Sequence, residues 1–436
     1  MIFSKTDLPG GIRILTERMP EIRSVALGFW IGVGSRDEAP DLQGSAHFLE
    51  HLLFKGSAAK NAADIAEAFD AVGGEANAFS AKEYTCLHGR VLDADLGMAT
   101  DLCSEMLWLP ALRPDEVESE RKVIFEEISM HEDTPDDLVH DLFAEDVFGN
   151  HALGRSVLGT NETVGQISVE SLRAFHQTHY RGRNVVVAAA GSVDHDELVD
   201  RIAQLFPRDD GTLPPPEQSA PLPARRMRAI HRSTEQVHLV VGGPGYSRQH
   251  PDRWAWGVLD TLLGGGMSSR LFQEIREKRG LAYSVYSYRN LFRETGLYGI
   301  YAGATPANAV DVLQLILEEM DRMAEEGITE EELERGKGHM RGSMVLSLED
   351  PSSRMSRLGK SELVQGEILS IDELVARINA VTLEDVARVA ADLLGPEARV
   401  LSVIGPAAEE DFVPWFGNAE PASAASGGQL KPDRRP

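Results

Sequence analysis

His47-Phe48-Leu49-Glu50-His51 is the stretch of this chain that says most about its fold and chemistry. On a helix, residues four apart lie on one face, so both histidines can point toward one metal ion. Glu50, three residues after His47, lies on the same side of that helix. The motif is the zinc-protease helix signature in reverse, His-x-x-Glu-His in place of His-Glu-x-x-His. It predicts a zinc peptidase whose remaining ligand lies on another element.

A helix further along the chain offers that ligand. A catalytic zinc ion takes three protein ligands and keeps one position open for water. Residues 114–132 begin with Pro-Asp-Glu, which is typical of a helix start. Glu120 and Glu127 are seven residues apart in this segment and therefore share one face. The residues alone leave both as candidates, and the neighbouring Glu126 and His131 are easily confused with them.

The size and charge of the chain limit what it can be. At 436 residues it is too long for a single ordinary core, so two or more domains are expected. A hydrophobic content of 42% and a charged content of 26% are normal for a soluble globular protein. The net charge of −26 disfavours nucleic acid and anionic membranes as partners. It suits either a simple acidic surface or a chamber that attracts cationic peptides.

The two cysteines, Cys86 and Cys103, are too few for a disulfide framework and favour a reducing compartment. The N-terminal residues lack the charged and apolar regions of a secretory signal. No apolar run approaches transmembrane length. We therefore expect a cytoplasmic protein, although a mitochondrial matrix protein that has lost its transit peptide would look the same.

Hydrophobic periodicity predicts both strands and helices in each part of the chain. Alternation over residues 25–33 predicts a strand with one buried face. Residues 61–72 read as a helix that stops at Gly73-Gly74. Residues 85–92 and the apolar run at 185–193 read as two further strands. The mixture indicates the α+β class.

The two halves of the chain resemble one another. The aligned pairs of segments, at offsets of 210 to 214 residues, are 46–56 with 256–266, 120–121 with 334–335, and 167–170 with 381–384. In the second copy the two histidine positions hold Gly257 and Thr261, so only the first copy can bind metal there. We predict two homologous domains, each a mainly antiparallel sheet packed with helices.

A proline-rich stretch separates the two copies and excludes a helix or a central strand. The C-terminal residues are rich in Ala, Ser, Gly and Pro, which predicts disorder. The predicted parts are a zinc-binding catalytic domain at 1–206, a linker at 207–225, a related domain without zinc ligands at 226–415 and a disordered tail at 416–436.

Three segments together resemble the pitrilysin, insulin-degrading and mitochondrial processing peptidase family of inverted zinc proteases. They are His-Phe-Leu-Glu-His-Leu-Leu-Phe-Lys-Gly at 47–56, Gly-Gly-Glu-Ala-Asn-Ala-Phe at 73–79 and Glu-Arg-Lys-Val-Ile-Phe-Glu-Glu-Ile at 120–128. The resemblance covers about residues 5–410 and is strongest to the short members, such as bacterial homologues and the processing peptidase beta subunit. It implies one Zn²⁺ per chain on His47, His51 and Glu127, with Glu120 as an assisting carboxylate.

This ligand set implies a mechanism. Zinc polarises the scissile carbonyl and lowers the pKa of a bound water. Glu50 is not needed as a ligand, so it can act as the general base and then pass the proton to the leaving amine. The function predicted from the sequence is a zinc-dependent metalloendopeptidase that acts on peptides or unfolded segments inside a closed chamber.

The resemblance also implies residues that hold the substrate. Asn77 and Ala78 correspond to an edge strand that pairs with the extended substrate backbone, although an ordinary core strand would explain them too. Arg276 and Tyr283, which follow a glycine-rich stretch, correspond to a pair that holds substrate and stabilises the oxyanion. The alternative for this pair is an exposed arginine and a tyrosine in a strand core.

The sequence also predicts a two-chain assembly and leaves two rival functions open. Larger relatives have four such domains, so a full chamber here would need two chains, as a homodimer or with a related non-catalytic subunit. Arg276 and Tyr283 of one chain would then face the zinc of the other. The rivals are a non-catalytic scaffold or partner subunit, disfavoured because all four zinc-site residues are intact, and a metal hydrolase acting on non-peptide amides.

Overall fold

The computed structural model describes residues 3–206 and 226–417, so the predicted linker and nearly all of the predicted tail lie outside the described residues. The strands are Ser4–Asp7 (β1), Arg13–Arg18 (β2), Ser24–Ile31 (β3), Glu75–Ser80 (β4), Thr85–Leu92 (β5), Val185–Gly191 (β6), Met227–His231 (β7), Val237–Gly245 (β8), Ala282–Leu291 (β9), Gly296–Ala304 (β10) and Val400–Gly405 (β11).

The helices follow the same duplicated plan. They are Ser45–Leu53 (α1), Ala62–Asp70 (α2), Leu96–Trp108 (α3), Pro114–Glu132 (α4), Pro135–Phe148 (α5), Asn161–Gln166 (α6), Val169–His179 (α7), His195–Leu205 (α8), Arg253–Leu263 (α9), Ala309–Glu326 (α10), Glu330–Ser347 (α11), Pro351–Lys360 (α12), Ile371–Asn379 (α13), Leu383–Leu393 (α14) and Val413–Phe416 (α15). The predicted bounds of β5 and α4 match those observed.

The strands form one sheet in each half, and the two sheets have matching orders. The first runs β1-β2-β6-β3-β5-β4 and the second runs β7-β11-β8-β10-β9. In each sheet one pair is parallel, β2 with β6 and β7 with β11, and the other pairs are antiparallel. The prediction of two similar, mainly antiparallel α+β units is confirmed.

The two halves exchange helices. Helix α12, from the second half, packs on β3 and β6 of the first sheet, and α5, from the first half, packs on β8 and β11 of the second sheet. Trp30 of β3 donates a hydrogen bond to the Met355 sulfur of α12 at 3.3 Å. Strand β3 is therefore buried on both faces, whereas its alternation predicted one buried face.

Buried ion pairs fix each exchanged helix to its sheet. Glu17 of β2 accepts from Arg354 and Arg357 of α12, the latter at 3.0 Å. In the second half the charges are reversed, because Asp146 of α5 lies 2.5 Å from Arg228 of β7. Glu17 and Asp146 are buried, and removing one partner of such a pair leaves an uncompensated charge. The two halves are therefore held together by specific contacts as well as by apolar packing.

Among residues 3–206 and 226–417, no helix is long and apolar enough to cross a membrane. Phe416, the first residue of the predicted tail, is buried in the core of the second half.

Candidate metal centre

Three predicted ligand atoms converge between α1 and α4. The Nε2 atoms of His47 and His51 are 3.2 Å apart, and Glu127 Oε2 lies 3.6 Å from the first and 3.5 Å from the second. With bond lengths near 2.0–2.1 Å, two ligands of a tetrahedral zinc ion are about 3.4 Å apart. The three atoms therefore fit one face of a zinc coordination tetrahedron.

The start of α1 is fixed by residues that lie close to it in the sequence. The helix begins after Gly44, whose φ of +96° suits glycine and whose close approach to Leu158 leaves no room for a side chain. The Glu38 carboxylate accepts the backbone N–H groups of Gly44 and Ala46 at 2.8 and 2.7 Å. This acceptor at the helix N-terminus satisfies donors that would otherwise lack partners. The two histidines are thus carried on a helix that is fixed at its start.

Burial sets the protonation of the first ligand. His47 is 7% exposed, and burial, followed by the neighbouring His51, lowers its pKa to about 4. A neutral imidazole keeps the lone pair that a metal ion needs. The Glu127 side chain is 43% exposed, so the centre opens to solvent on the α4 side. A substrate can approach from there.

Glu120 contacts a ligand instead of joining the cluster. Its Oε2 accepts a hydrogen bond from His51 Nδ1 at 3.1 Å, which leaves His51 Nε2 facing Glu127. Its other oxygen lies 2.5 Å from Lys55 Nζ. A carboxylate on the second nitrogen of a metal-binding histidine fixes the ring and its tautomer. The geometry thus separates the two glutamates that the residues alone left open.

Glu126 and His131, which the sequence alone could not separate from Glu120 and Glu127, lie outside the group of metal-ligand atoms. His131 pairs with Asp141 at 3.2 Å, and Glu126 does not belong to the cluster of metal-ligand atoms found among the described residues.

Glu50 lies beside the cluster as a largely buried carboxylate. Burial raises its pKa, and hydrogen bonding with Ser80 opposes that shift. Its Oε2 is buried and has no hydrogen-bond partner among the described residues. A buried acceptor without a partner is costly, so a group that binds there is expected. Glu50 therefore has the position of a proton acceptor next to the metal ligands.

The donor set decides which metal fits. Two imidazole nitrogens and one carboxylate oxygen are typical of catalytic zinc, whereas calcium and magnesium prefer oxygen ligands alone. His47, His51 and Glu127 form a group of potential ligands whose atoms lie within 4.8 Å of one another. The residues present therefore fit zinc.

The predicted substrate strand lies at a sheet edge. Strand β4 pairs with β5, and no other described strand pairs with its opposite side. Asn77 is exposed and Ala78 is buried, as the alternation of a strand requires. Strand β4 also packs against α1. A peptide added to this edge would run next to the metal helix.

Arg276 and Tyr283 lie against each other. The guanidinium of Arg276 is 4.3 Å from the centre of the Tyr283 ring, and its Nη1 donates to the Tyr283 carbonyl oxygen at 3.0 Å. Tyr283 is 77% exposed, so it is not a tyrosine of a strand core. No hydrogen bond or ion pair between described residues connects this pair to the metal centre. The structure brings the two residues together, and among the described residues neither contacts the predicted zinc ligands of the same chain.

Several residues that support the site were not predicted from the sequence. Lys55 lies one turn after His51, so helical spacing could have found it. Glu38 caps α1 from a loop, and Ser80 reaches Glu50 from β4; neither has a periodic signal.

Comparisons with known proteins agree with this geometry. Residues 13–161 match the model of the insulinase family, peptidase family M16, and residues 166–340 match that of the peptidase M16 inactive domain. An uncharacterized zinc protease of Streptomyces coelicolor is 51% identical over 410 residues, covering 92% of this chain and 89% of that protein. The uncharacterized zinc protease YmxG of Bacillus subtilis is 42% identical, covering 91% and 96%.

Solved structures share the fold. A protease from Helicobacter pylori superposes with a TM-score of 0.87 at 21% identity, covering 93% of this chain and 99% of that chain. A peptidase M16 inactive-domain structure from Pseudomonas fluorescens gives 0.87 at 22%, covering 94% and 98%. The fold of each half and the order of the halves are thus shared with these structures.

Proposed function

The chain belongs to peptidase family M16, and from that premise we propose that it is a zinc-dependent metalloendopeptidase that cleaves peptides or unfolded segments. The observation that carries the proposal is the group of three ligand atoms 3.2–3.6 Å apart, with an unpaired buried carboxylate oxygen of Glu50 beside it. One zinc ion per chain would be held by His47, His51 and Glu127.

Glu50 and Glu120 have different roles in the proposed reaction. Zinc, when bound, supplies a Lewis acid that polarises the scissile carbonyl and makes water more acidic. Glu50 takes the proton of the attacking water and then delivers it to the leaving amine. Burial raises the pKa of this carboxyl group, which makes the ionised form a stronger base. Glu120 keeps the His51 ring in place during turnover.

Strand β4 is the proposed platform for the substrate. Its free edge at Asn77 and Ala78 offers backbone donors and acceptors to an extended peptide. This binding mode needs an unfolded backbone, which agrees with peptides and unfolded segments as substrates.

Two copies of the chain form the proposed closed chamber. Tyr283 is exposed on the second half, Arg276 is partly buried against it, and among the described residues neither side chain contacts the metal centre of its own chain. In the larger relatives four domains form one chamber, so a dimer of this two-domain chain would supply the same number. Tyr283 of one copy would then donate to the oxyanion formed at the other copy's zinc.

The decisive experiment for activity combines metal analysis with peptide cleavage. Purified protein should hold one zinc per chain and cleave members of a quenched peptide library, with products identified by mass spectrometry. A chelator should abolish cleavage and added zinc should restore it. Stoichiometric zinc without cleavage of any peptide would favour the non-catalytic partner subunit instead.

Co-expression of two damaged chains tests the shared site. Glu50→Gln and Tyr283→Phe chains that mix at random should leave about a quarter of the sites with both groups intact. Activity should then exceed that of either variant alone. A mixture no more active than its parents would show that each chain uses its own Tyr283, or none.

A further inference from the structure

A cavity of about 740 Å³ lies between the two halves, apart from the metal centre. It is lined by the β4–β5 turn and α5 of the first half, by β9 and the start of α9 of the second half, and by the end of α12. None of the residues assigned to metal or substrate lines it. Its volume and its position between domains are typical of sites for small molecules.

The wall of this interdomain cavity is positively charged, although the chain as a whole carries a net charge of −26. Its carboxylates are Glu83 and Asp141. More cations than carboxylates face the space, namely Lys82, Arg248, Arg253, Arg289 and Lys360. An excess of one sign in a walled cavity raises the local concentration of ligands of the opposite sign.

Both carboxylates already have partners. Glu83 is a buried acceptor for Arg36 and Arg248. Asp141 accepts from His131, with 3.2 Å between the two groups. Neither carboxylate forms an ion pair with Arg253 or Lys360. The positive charge of those two residues is therefore available to a ligand.

Arg253 and Lys360 each lie over an aromatic ring. The Arg253 guanidinium lies 5.1 Å from the Trp254 ring centre, and Lys360 Nζ lies 5.3 Å from that of Tyr84. Within the described residues, no carboxylate lies at ion-pair distance from either cation. Burial lowers the pKa of Arg253, and the Glu367 carboxylate, which lies beyond ion-pair distance, only partly opposes that shift. Such cations gain most from an added anion.

Two tyrosines form an ordered aromatic wall of the same cavity. Hydrogen bonds of 3.1 and 2.9 Å connect His140 to the hydroxyl groups of Tyr286 and Tyr288. Because α5 carries His140 and β9 carries both tyrosines, these bonds cross between the halves. The rings are held in place, so a planar or apolar body can pack on them without further ordering.

We propose that the interdomain cavity binds a small organic anion, in which a carboxylate or phosphate group is joined to a planar or apolar body. Arg253 and Lys360 contact the anionic group, and the wall formed by Tyr286 and Tyr288 packs against the body. Guanidinium and ammonium groups bind both kinds of oxyanion through charge-assisted hydrogen bonds. The proposal does not depend on peptidase activity.

Calorimetric titration with three matched probes tests this proposal. Phenyl phosphate and 3-phenylpropionate carry a ring and an oxyanion, and 3-phenylpropanol carries the ring without a charge. At least one charged probe should bind, and the alcohol should bind much more weakly. Phosphate-only or carboxylate-only binding would support the proposal and identify the source of the anion. An alcohol that binds as tightly as the charged probes would overturn it.

Charge variants locate the bound probe. Arg253→Gln and Lys360→Gln should each weaken binding about tenfold, whereas Arg253→Lys should largely retain it. Lys278→Gln is the matched control, because Lys278 is an exposed cation of the second half outside the cavity. Lys360 is exposed, so its variant should fold normally. Unchanged affinity in both cavity variants, or an equal loss in the control, would overturn the proposal.

The His47→Ala variant separates this cavity from the metal centre, where an oxyanion could also bind. Binding of the charged probes should persist in that variant with unchanged affinity. Complete loss of binding there would assign the probes to the metal centre and overturn the proposal.

Discussion

Helices α1 and α9 occupy equivalent places in the two halves, but only α1 presents side chains that could hold a metal ion. Gly257 and Thr261 stand where α1 has its histidines, and Asp260 stands where it has Glu50. On α11, the counterpart of α4, Arg341 takes the place of Glu127. The second half thus keeps an acid at the position of Glu50. At the three positions of the predicted ligands it has residues that differ from those of the first half.

A protein cation fills the corresponding space in the second half. A Cβ atom on Gly257 would lie 2.8 Å from Arg289 Nη2 and 2.9 Å from Met340 Cε, so a histidine there would require both side chains to move. Arg289 Nε lies 3.8 Å from Asp260 Oδ2. In the second half the largely buried acid thus lies near a positively charged side chain. That cation is the Arg289 side chain, whereas the first half has side chains suited to binding a metal ion.

A serine of the edge strand contacts the acid in both halves. Ser287 of β9 donates to Asp260 Oδ1 at 2.7 Å, and Ser80 of β4 lies close enough to Glu50 to oppose the rise that burial causes in its pKa. This similarity supports a common origin of the two arrangements. Only the first half keeps the residues that we propose for catalysis.

The largest expected effect distinguishes the two acids. Glu50→Gln should lower kcat about 10²–10⁴-fold with zinc still bound, because the proton acceptor is lost. Asp260→Asn is the matched change in the second half and should leave kcat unchanged. Peptide cleavage and elemental analysis on both variants check this. Equal losses in the two would contradict a division into a catalytic and a structural half.

Removal of the protein cation should destabilise the second half. Arg289→Met leaves the Asp260 carboxylate buried beside no counter-ion, at a cost of about 3 kcal/mol in the free energy of unfolding. Urea denaturation measures this loss, and the double variant Arg289→Met/Asp260→Asn should recover part of it. No recovery in the double variant would mean that the arginine acts through packing alone.

Glu120→Gln should weaken zinc binding about tenfold, because the His51 ring loses a charged acceptor. Its counterpart in α11, Glu334, has a 59% exposed side chain that pairs with Lys337 at 3.3 Å. Glu334→Gln should leave zinc affinity unchanged and serves as the control. Competition with a chromogenic chelator provides the measurement. Unchanged affinity in Glu120→Gln would remove its assigned role.

The smallest effect is expected at the vestigial ligand position. Thr261→Ala should change stability by no more than about 0.5 kcal/mol. The Thr261 hydroxyl donates a hydrogen bond to the carbonyl oxygen of Gly257, at 2.9 Å within the same helix. The equivalent His51→Ala removes a ligand and should abolish zinc binding. Thermal unfolding and zinc content distinguish the two outcomes.

Much of the fold was predictable because it is encoded by local periodicity and by repetition along the chain. The bounds of α4 and β5, the helical state of the motif at 47–51 and the duplication follow from residue spacing. The convergence of His47, His51 and Glu127 followed from spacing together with the family resemblance. These features depend on residues whose geometry is fixed by one or two elements.

The helix exchange was not predictable from those signals. The α12 sequence shows an amphipathic helix, but nothing in its period says which sheet its buried side covers. Likewise the Arg289 guanidinium reaches Asp260 from another element, and Glu38 caps α1 from a loop. Such contacts depend on tertiary arrangement, which a single sequence does not encode locally.

The exchange of α5 and α12 also constrains how the chain is made. During synthesis the first sheet stays uncovered on one face until residues 351–360 have left the ribosome. An apolar sheet face that waits this long is exposed to aggregation and to chaperones. A fragment that ends at residue 206 would keep that face open permanently. The two halves are therefore poor candidates for separate expression, although each has its own sheet.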